Sequence, residues 1–174
     1  MRKTAALVLS LCLIAAIGYA ADAKKPLSPP AKAEATIDGK KLTIDYSAPS
    51  RRDRVILGGL VPYGKVWRTG ANAATTFTTA TDVMIGNLHV PAGTYTLYTI
   101  PNEKDWTLIV NKKTGQWGTQ YDESQDLGRV QMTVKALPKT VETFAIGVTP
   151  GKARTGTLTM AWENTEASVP ITIH

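Results

Sequence analysis

Cysteine is almost missing from this chain. Cys12 is the only one, and it lies inside a short apolar run, residues 5–17. Leu11 before it is not small, and the sequence stays apolar after it, so a lipid-modified cysteine is not expected. Arg2 and Lys3 precede the run, and the small-residue steps Gly18-Tyr19-Ala20 and Ala21-Asp22-Ala23 follow it. That order predicts a signal peptide over residues 1–20, cleaved after Ala20 or Ala23. The run is shorter than the roughly 20 apolar residues a membrane span requires. The cleaved chain would hold no cysteine, which excludes disulfides, a thiol nucleophile and thiolate metal ligands. It would have no membrane span, and its expected location is periplasmic or secreted.

Histidine is nearly as scarce, with His89 and His174 alone. A histidine metal site or a Ser-His-Asp triad would have to be built on His89, which stands on a hairpin strand beside Pro91 and is expected to face solvent. Gly58-Gly59 is not followed by Lys-Ser/Thr, so there is no phosphate loop. The acidic residues are dispersed, with no spacing that implies a paired acid and base. These gaps predict no metal and no cofactor. The formal charge is +6 and the pI about 9.5. The basic residues are scattered apart from Arg51-Arg52-Asp53-Arg54, and no recognition motif accompanies them, so no nucleic-acid partner is expected. A basic surface on an exported protein instead faces anionic polymers or lipid head groups, or has no specific partner.

Helical periodicity is missing too. Only residues 122–127 offer a helical turn. Residues 21–32 are Ala, Lys and Pro with little to bury, and read as a flexible tether. From residue 33 to 174 a period of two dominates. Leu42, Ile44 and Tyr46 alternate with polar neighbours, as do Val130, Met132 and Val134. The same holds for Phe144, Ile146 and Val148, for Leu158, Met160 and Trp162, and for Val169, Ile171 and Ile173. Such alternation marks half-buried antiparallel strands. Asp38-Gly39 and Gly86-Asn87 are hairpin signals, and Pro150-Gly151 and Asn164 mark later turns. The expectation is a single all-β domain of nine or ten strands: an antiparallel two-sheet β-sandwich, jelly-roll-like.

One stretch, residues 49–72, barely alternates. Within it Tyr63, Lys65, Trp67, Arg68 and Asn72 crowd together, while Trp106 and Trp117 flank a second turn region. A guanidinium and an amide suit oriented hydrogen bonding, and indole gives a flat face for stacking. Trp67, Arg68, Asn72 and Trp117 are therefore candidate ligand-binding residues for a glycan or small anionic ligand. The alternative is packing, with Arg68 paired to Asp45 or Asp126 and Trp67 filling the end of the fold.

The string from Tyr46 to Ser50, the block Gly58-Gly59-Leu60-Val61-Pro62-Tyr63-Gly64-Lys65-Val66-Trp67-Arg68-Thr69-Gly70-Ala71-Asn72, and Pro91-Ala92-Gly93-Thr94-Tyr95 resemble the domain-of-unknown-function family 2911 of exported bacterial proteins. Trp117-Gly118, Tyr121 and Arg129 continue the resemblance. It implies no reaction, but adds Tyr46, Tyr95 and Arg129 to the candidates, because they fall on motif positions. The chain departs from that pattern at Ala73, where a glutamate is usual, and at Asp53, where a glycine is usual. Three roles stay open: a non-catalytic binding module; a cell-envelope sugar hydrolase or lyase using Asp45, Asp53 or Asp126; and a structural or assembly protein.

Overall fold

The computed structural model describes residues 26–174, so the expected signal peptide lies outside the described residues. The elements are β1 (Pro30–Ile37), β2 (Lys40–Ser47), β3 (Thr75–Thr79), β4 (Val83–Ile85), β5 (Leu88–Val90), β6 (Gly93–Pro101) and β7 (Asp105–Asn111). A 3-10 turn (Glu123–Gln125) follows, then β8 (Asp126–Pro150) and β9 (Thr155–Ile173). The expected helical turn is that 3-10 turn, capped by the Asp122 side chain accepting from the Ser124 amide. Pro30–Lys32 belong to β1, so the strand begins inside the stretch read as a tether. No helix among the described residues is long and apolar enough to cross a membrane.

The fold is all-β, and its strands form one nine-stranded antiparallel sheet in the order β1-β2-β3-β6-β7-β8-β9-β4-β5. The sequence pointed instead to two sheets. The difference lies in β8 and β9. The runs centred on Met132 and Ile146 read as separate strands, but both belong to β8. The runs centred on Met160 and Ile171 both belong to β9. Register shifts between Ala136 and Val141, and again between Val141 and Ala145, let β8 bend without leaving its partner. Glu163 on β9 has φ 51 opposite that region. Asn164, expected to mark a turn, is therefore part of a kink within a continuous strand.

The hairpins formed as their sequences require. Asp38 and Gly39 both have positive φ, 49 and 72, which a two-residue turn between twisted strands demands. Leu42, Ile44 and Phe77 are buried, while Lys41 and Asp45 between and beside them face out. Buried residues from β1 through β9 make a single hydrophobic cluster. The bent sheet brings the segment after β2 against the middle of β8. The Arg51 amide donates to Glu142 O and the Phe144 amide to Pro49 O, each at 2.8 Å. From that suture the irregular segment 49–72 leaves the sheet.

Candidate functional site

Segment 49–72 is irregular but anchored. The Ile56 and Leu57 amides donate to the two carboxylate oxygens of Glu163 at 3.0 and 2.9 Å, which pins the loop to the kink in β9. Beyond Leu97, where β3 has ended, Trp67 takes the free edge of β6. Its amide donates to Thr99 O at 2.7 Å, and the Thr99 amide returns to Trp67 O at 3.0 Å. The Gly118 amide donates to Asn72 O at 3.0 Å, tying in the loop after β7.

The backbone of this segment is strained. Arg52, Asp53, Thr69 and Asn72 all have φ between 50 and 59, in the left-handed region that side chains avoid. Thr69 is β-branched and fully buried, and is held there by the Thr75 hydroxyl donating to its carbonyl at 2.7 Å. Asp53 sits at φ 58. A glycine would meet no Cβ penalty there.

These anchored loops enclose a cavity of about 550 Å³. Its lining includes buried Tyr98 and Trp162 and half-buried Trp67, Tyr121 and Arg68, while the exposed Arg52, Arg54 and Lys65 form its mouth. Among the described residues, no aspartate or glutamate lines it. The arginines of the described residues divide accordingly. Arg51, Arg129 and Arg154 each reach a carboxylate. The side chains of Arg52, Arg54 and Arg68 reach none, although the Arg52 amide donates to Glu142 Oε1 at 2.7 Å, and all three line the cavity. Arg54 donates to the carbonyls of Arg51 and Ser50 at 2.9 and 2.7 Å, and Arg52 to the Leu27 carbonyl. Arg68 uses only its Nε, on Gly70 O at 3.2 Å, so among the described residues its terminal nitrogens have no protein partner. Uncompensated guanidinium groups around a partly apolar hollow can take up an anion through charge-assisted, bidentate hydrogen bonds.

The candidates separate on this geometry. Trp67 and Arg68 line the cavity. Trp67 also packs as the alternative foresaw, stacked on Trp162 with ring centroids 5.6 Å apart and edge-on to Phe144 at 4.9 Å. Arg68 does not take the expected partners. Asp45 pairs with Lys32, and Asp126 with Arg129 and Tyr121. Asn72 and Trp117 are exposed beside the cavity and do not line it; Asn72 Nδ2 reaches Ser28 O at 3.4 Å. Tyr46 is a core strut whose hydroxyl accepts from the Ile146 amide at 3.1 Å. Tyr95 is buried elsewhere, donating to Pro91 O at 3.0 Å. Arg129 works from behind the wall: it donates to the Tyr121 hydroxyl at 2.9 Å and to Asp126 and Glu123. His89 faces solvent beside Asp82.

The sequence reading missed Arg52, Arg54, Tyr98, Tyr121 and Trp162. The arginine cluster was visible, but its lack of carboxylate partners is a three-dimensional fact. Tyr121 carries the clearest electrostatic mark. Burial, and then its hydrogen bond to Asp126, pushes its phenol up to about 12. The folded value lies above the ordinary tyrosine value of about 10, so the fold holds the protonated form. The stability this contributes is complete below about pH 10 and lost as pH rises through about 12. Subtracting the phenolate absorbance titration of Tyr121→Phe from wild type should give a single late step near pH 12. A step near 10 would contradict the burial and the bond.

Gly118 is where the two loops touch. A Cβ there would lie 2.7 Å from Arg68 Cδ and 2.9 Å from Asn72 O. The arginine stem can move, but the Asn72 carbonyl is backbone. Gly118→Ala should therefore displace Arg68, destabilise by about 1–3 kcal/mol as overpacking does, and be checked by urea unfolding.

A family model described as "Protein of unknown function (DUF2911)" matches residues 28–171, nearly all of the described chain. The chain belongs to the DUF2911 family. No curated protein and no solved structure matches it. The matched range includes segment 49–72, which supplies most of the cavity lining, and the family description names no ligand for it.

Proposed function

We propose that this DUF2911 chain is a non-catalytic binding protein, periplasmic or secreted, for a small anionic ligand such as an acidic sugar or organic acid. One observation carries the reading: among the described residues, the arginines whose side chains lack a carboxylate partner are those gathered at one cavity, and no carboxylate lines it. Arg68, whose terminal nitrogens are free among the described residues, would take the anionic group. Tyr98, Tyr121 and Trp67 would face the body of the ligand. The strain at Thr69 and Asn72 fits a loop held ready before the ligand arrives, which lowers the ordering cost of binding.

The hydrolase or lyase reading lacks its acid and base. Asp45, Asp53 and Asp126 are absent from the lining, and Asp126 is occupied by Tyr121, Arg129 and Asn111. An assembly role without a ligand site would leave the hollow without a purpose.

Thermal unfolding in the presence of uronic acids, sugar phosphates and small polycarboxylates, against neutral sugars, tests the proposal. A ligand present at a hundred times its Kd stabilises by about 2.7 kcal/mol, or about 5–10 °C for a domain of this size. Stabilisation by anionic compounds alone is expected. Equal stabilisation by neutral sugars, or none by any anion, would reject it.

A further inference from the structure

The cavity mouth has a second property that small-anion binding does not require. Among the described residues, the large apolar side chains most open to solvent are Val55, Leu27 and Leu60, at 71%, 69% and 58% exposure, and Val66 stands at 39%. Isolated exposed apolar residues are ordinary, but these are gathered. Leu27, Leu60 and Val66 all line the same mouth, and Leu60 is joined to Val55 by its amide on Val55 O at 3.2 Å. None lies on a strand. They stand on loops at the end of the sheet where β2 finishes, away from the Asp38-Gly39 hairpin at its other end. The cations Arg52, Arg54 and Lys65 stand among them without carboxylate partners, and Asp53 is the one carboxylate within residues 49–72.

We infer that this loop end is a peripheral docking surface for a bilayer rich in anionic lipid. The apolar tips enter the head-group boundary while the cations meet lipid phosphates. Exposed apolar side chains interleaved with basic ones are what an interfacial contact needs: burial of the first and electrostatic attraction for the second. A soluble polyanion would match the charge but leave Val55, Leu27 and Leu60 in water, so charge and apolar exposure together favour the membrane. Docking here would also place the cavity mouth at the lipid surface, although the surface does not depend on the cavity being occupied.

The test uses the exported chain, beginning after Ala20 and so free of cysteine, with one new cysteine carrying a polarity-sensitive fluorophore, at Leu60 or, as control, at Lys40 on the far end of β2. Vesicles of phosphatidylcholine alone are compared with vesicles containing phosphatidylglycerol. A blue shift of the Leu60 label is expected with the anionic vesicles only. It should be reversed by high salt and weakened by about 10-fold or more in apparent affinity by Lys65→Glu. The Lys40 label should not shift. No shift at Leu60, an equal shift with neutral vesicles, or an equal shift at Lys40 would overturn the inference. So would tight binding of dextran sulfate without any shift at Leu60 on anionic vesicles, which would assign the basic rim to a polymer.

Discussion

Trp162→Ala should lower stability by about 3–5 kcal/mol, a fall in melting temperature of about 6–20 °C. The indole is 2% exposed and its Nε1 donates to Glu142 O at 3.1 Å. It stacks on Trp67 at an interplanar angle of 22° and lies 5.7 Å from Phe144. Removing it empties a volume bounded by the rings of Trp67 and Phe144, which are held by their own packing and cannot both collapse inward. It also leaves the Glu142 carbonyl without that donor and removes the floor under Trp67, so the cavity should lose its shape with its stability. Trp117→Ala makes the contrast. That ring is 53% exposed, and its loss should move stability by no more than about 0.5 kcal/mol. Chemical denaturation of both variants decides the matter; similar costs for the two would mean the burial pattern is wrong.

Glu163→Ala is the second large effect. Both carboxylate oxygens accept from backbone amides of the loop, at Ile56 and Leu57, while Arg51 approaches at 3.7 Å. Ile56 is fully buried, so its amide has no water to turn to once the carboxylate is gone. Hydrogen bonds to a charged group contribute about 1.5–3 kcal/mol each, and losing this shared acceptor should cost about 2–4 kcal/mol. The loop should also loosen. Amide hydrogen exchange at Ile56 and Leu57 should accelerate far more than at Leu42 or Leu108 in the sheet. A uniform change across the protein would show that Glu163 supports the fold generally and does not pin the loop.

The scaffold was legible in the sequence because strand burial writes itself every second residue. Leu42 and Ile44, or Met132 and Val130, needed no partner to be identified as core. What alternation does not encode is continuity. The runs on either side of residues 136–145 look like two strands, and only the β9 pairing, carried across the bulges, makes them one. That is why two sheets were expected where one is found. The site was half legible for a related reason. Trp67 and Arg68 stood out within an irregular stretch, and both line the cavity. Tyr46 and Tyr95 entered through the family resemblance, and their hydroxyls are occupied by the Ile146 amide and the Pro91 carbonyl. Tyr121 and Trp162 come to the cavity from distant strands and loops, and no local pattern announces that meeting. Nor can the Arg51-Arg52-Asp53-Arg54 cluster say by itself that Arg51 is paired with Glu163 while Arg52 and Arg54 are not.

The proposed binding role requires that Arg68 be held for a ligand and not for the fold. The melting temperature of Arg68→Ala, taken with and without an anion that stabilises the wild type, tests this most directly. The unliganded variant should melt within about 2 °C of wild type, because Arg68 makes no ion pair among the described residues and its one hydrogen bond is to Gly70 O. The stabilisation by the anion should fall with an affinity loss of about 10- to 100-fold, the cost of losing a charged hydrogen-bonding partner. A variant that melts more than about 5 °C lower without ligand, or one that keeps the full anion response, would make Arg68 a structural residue and contradict the proposed site.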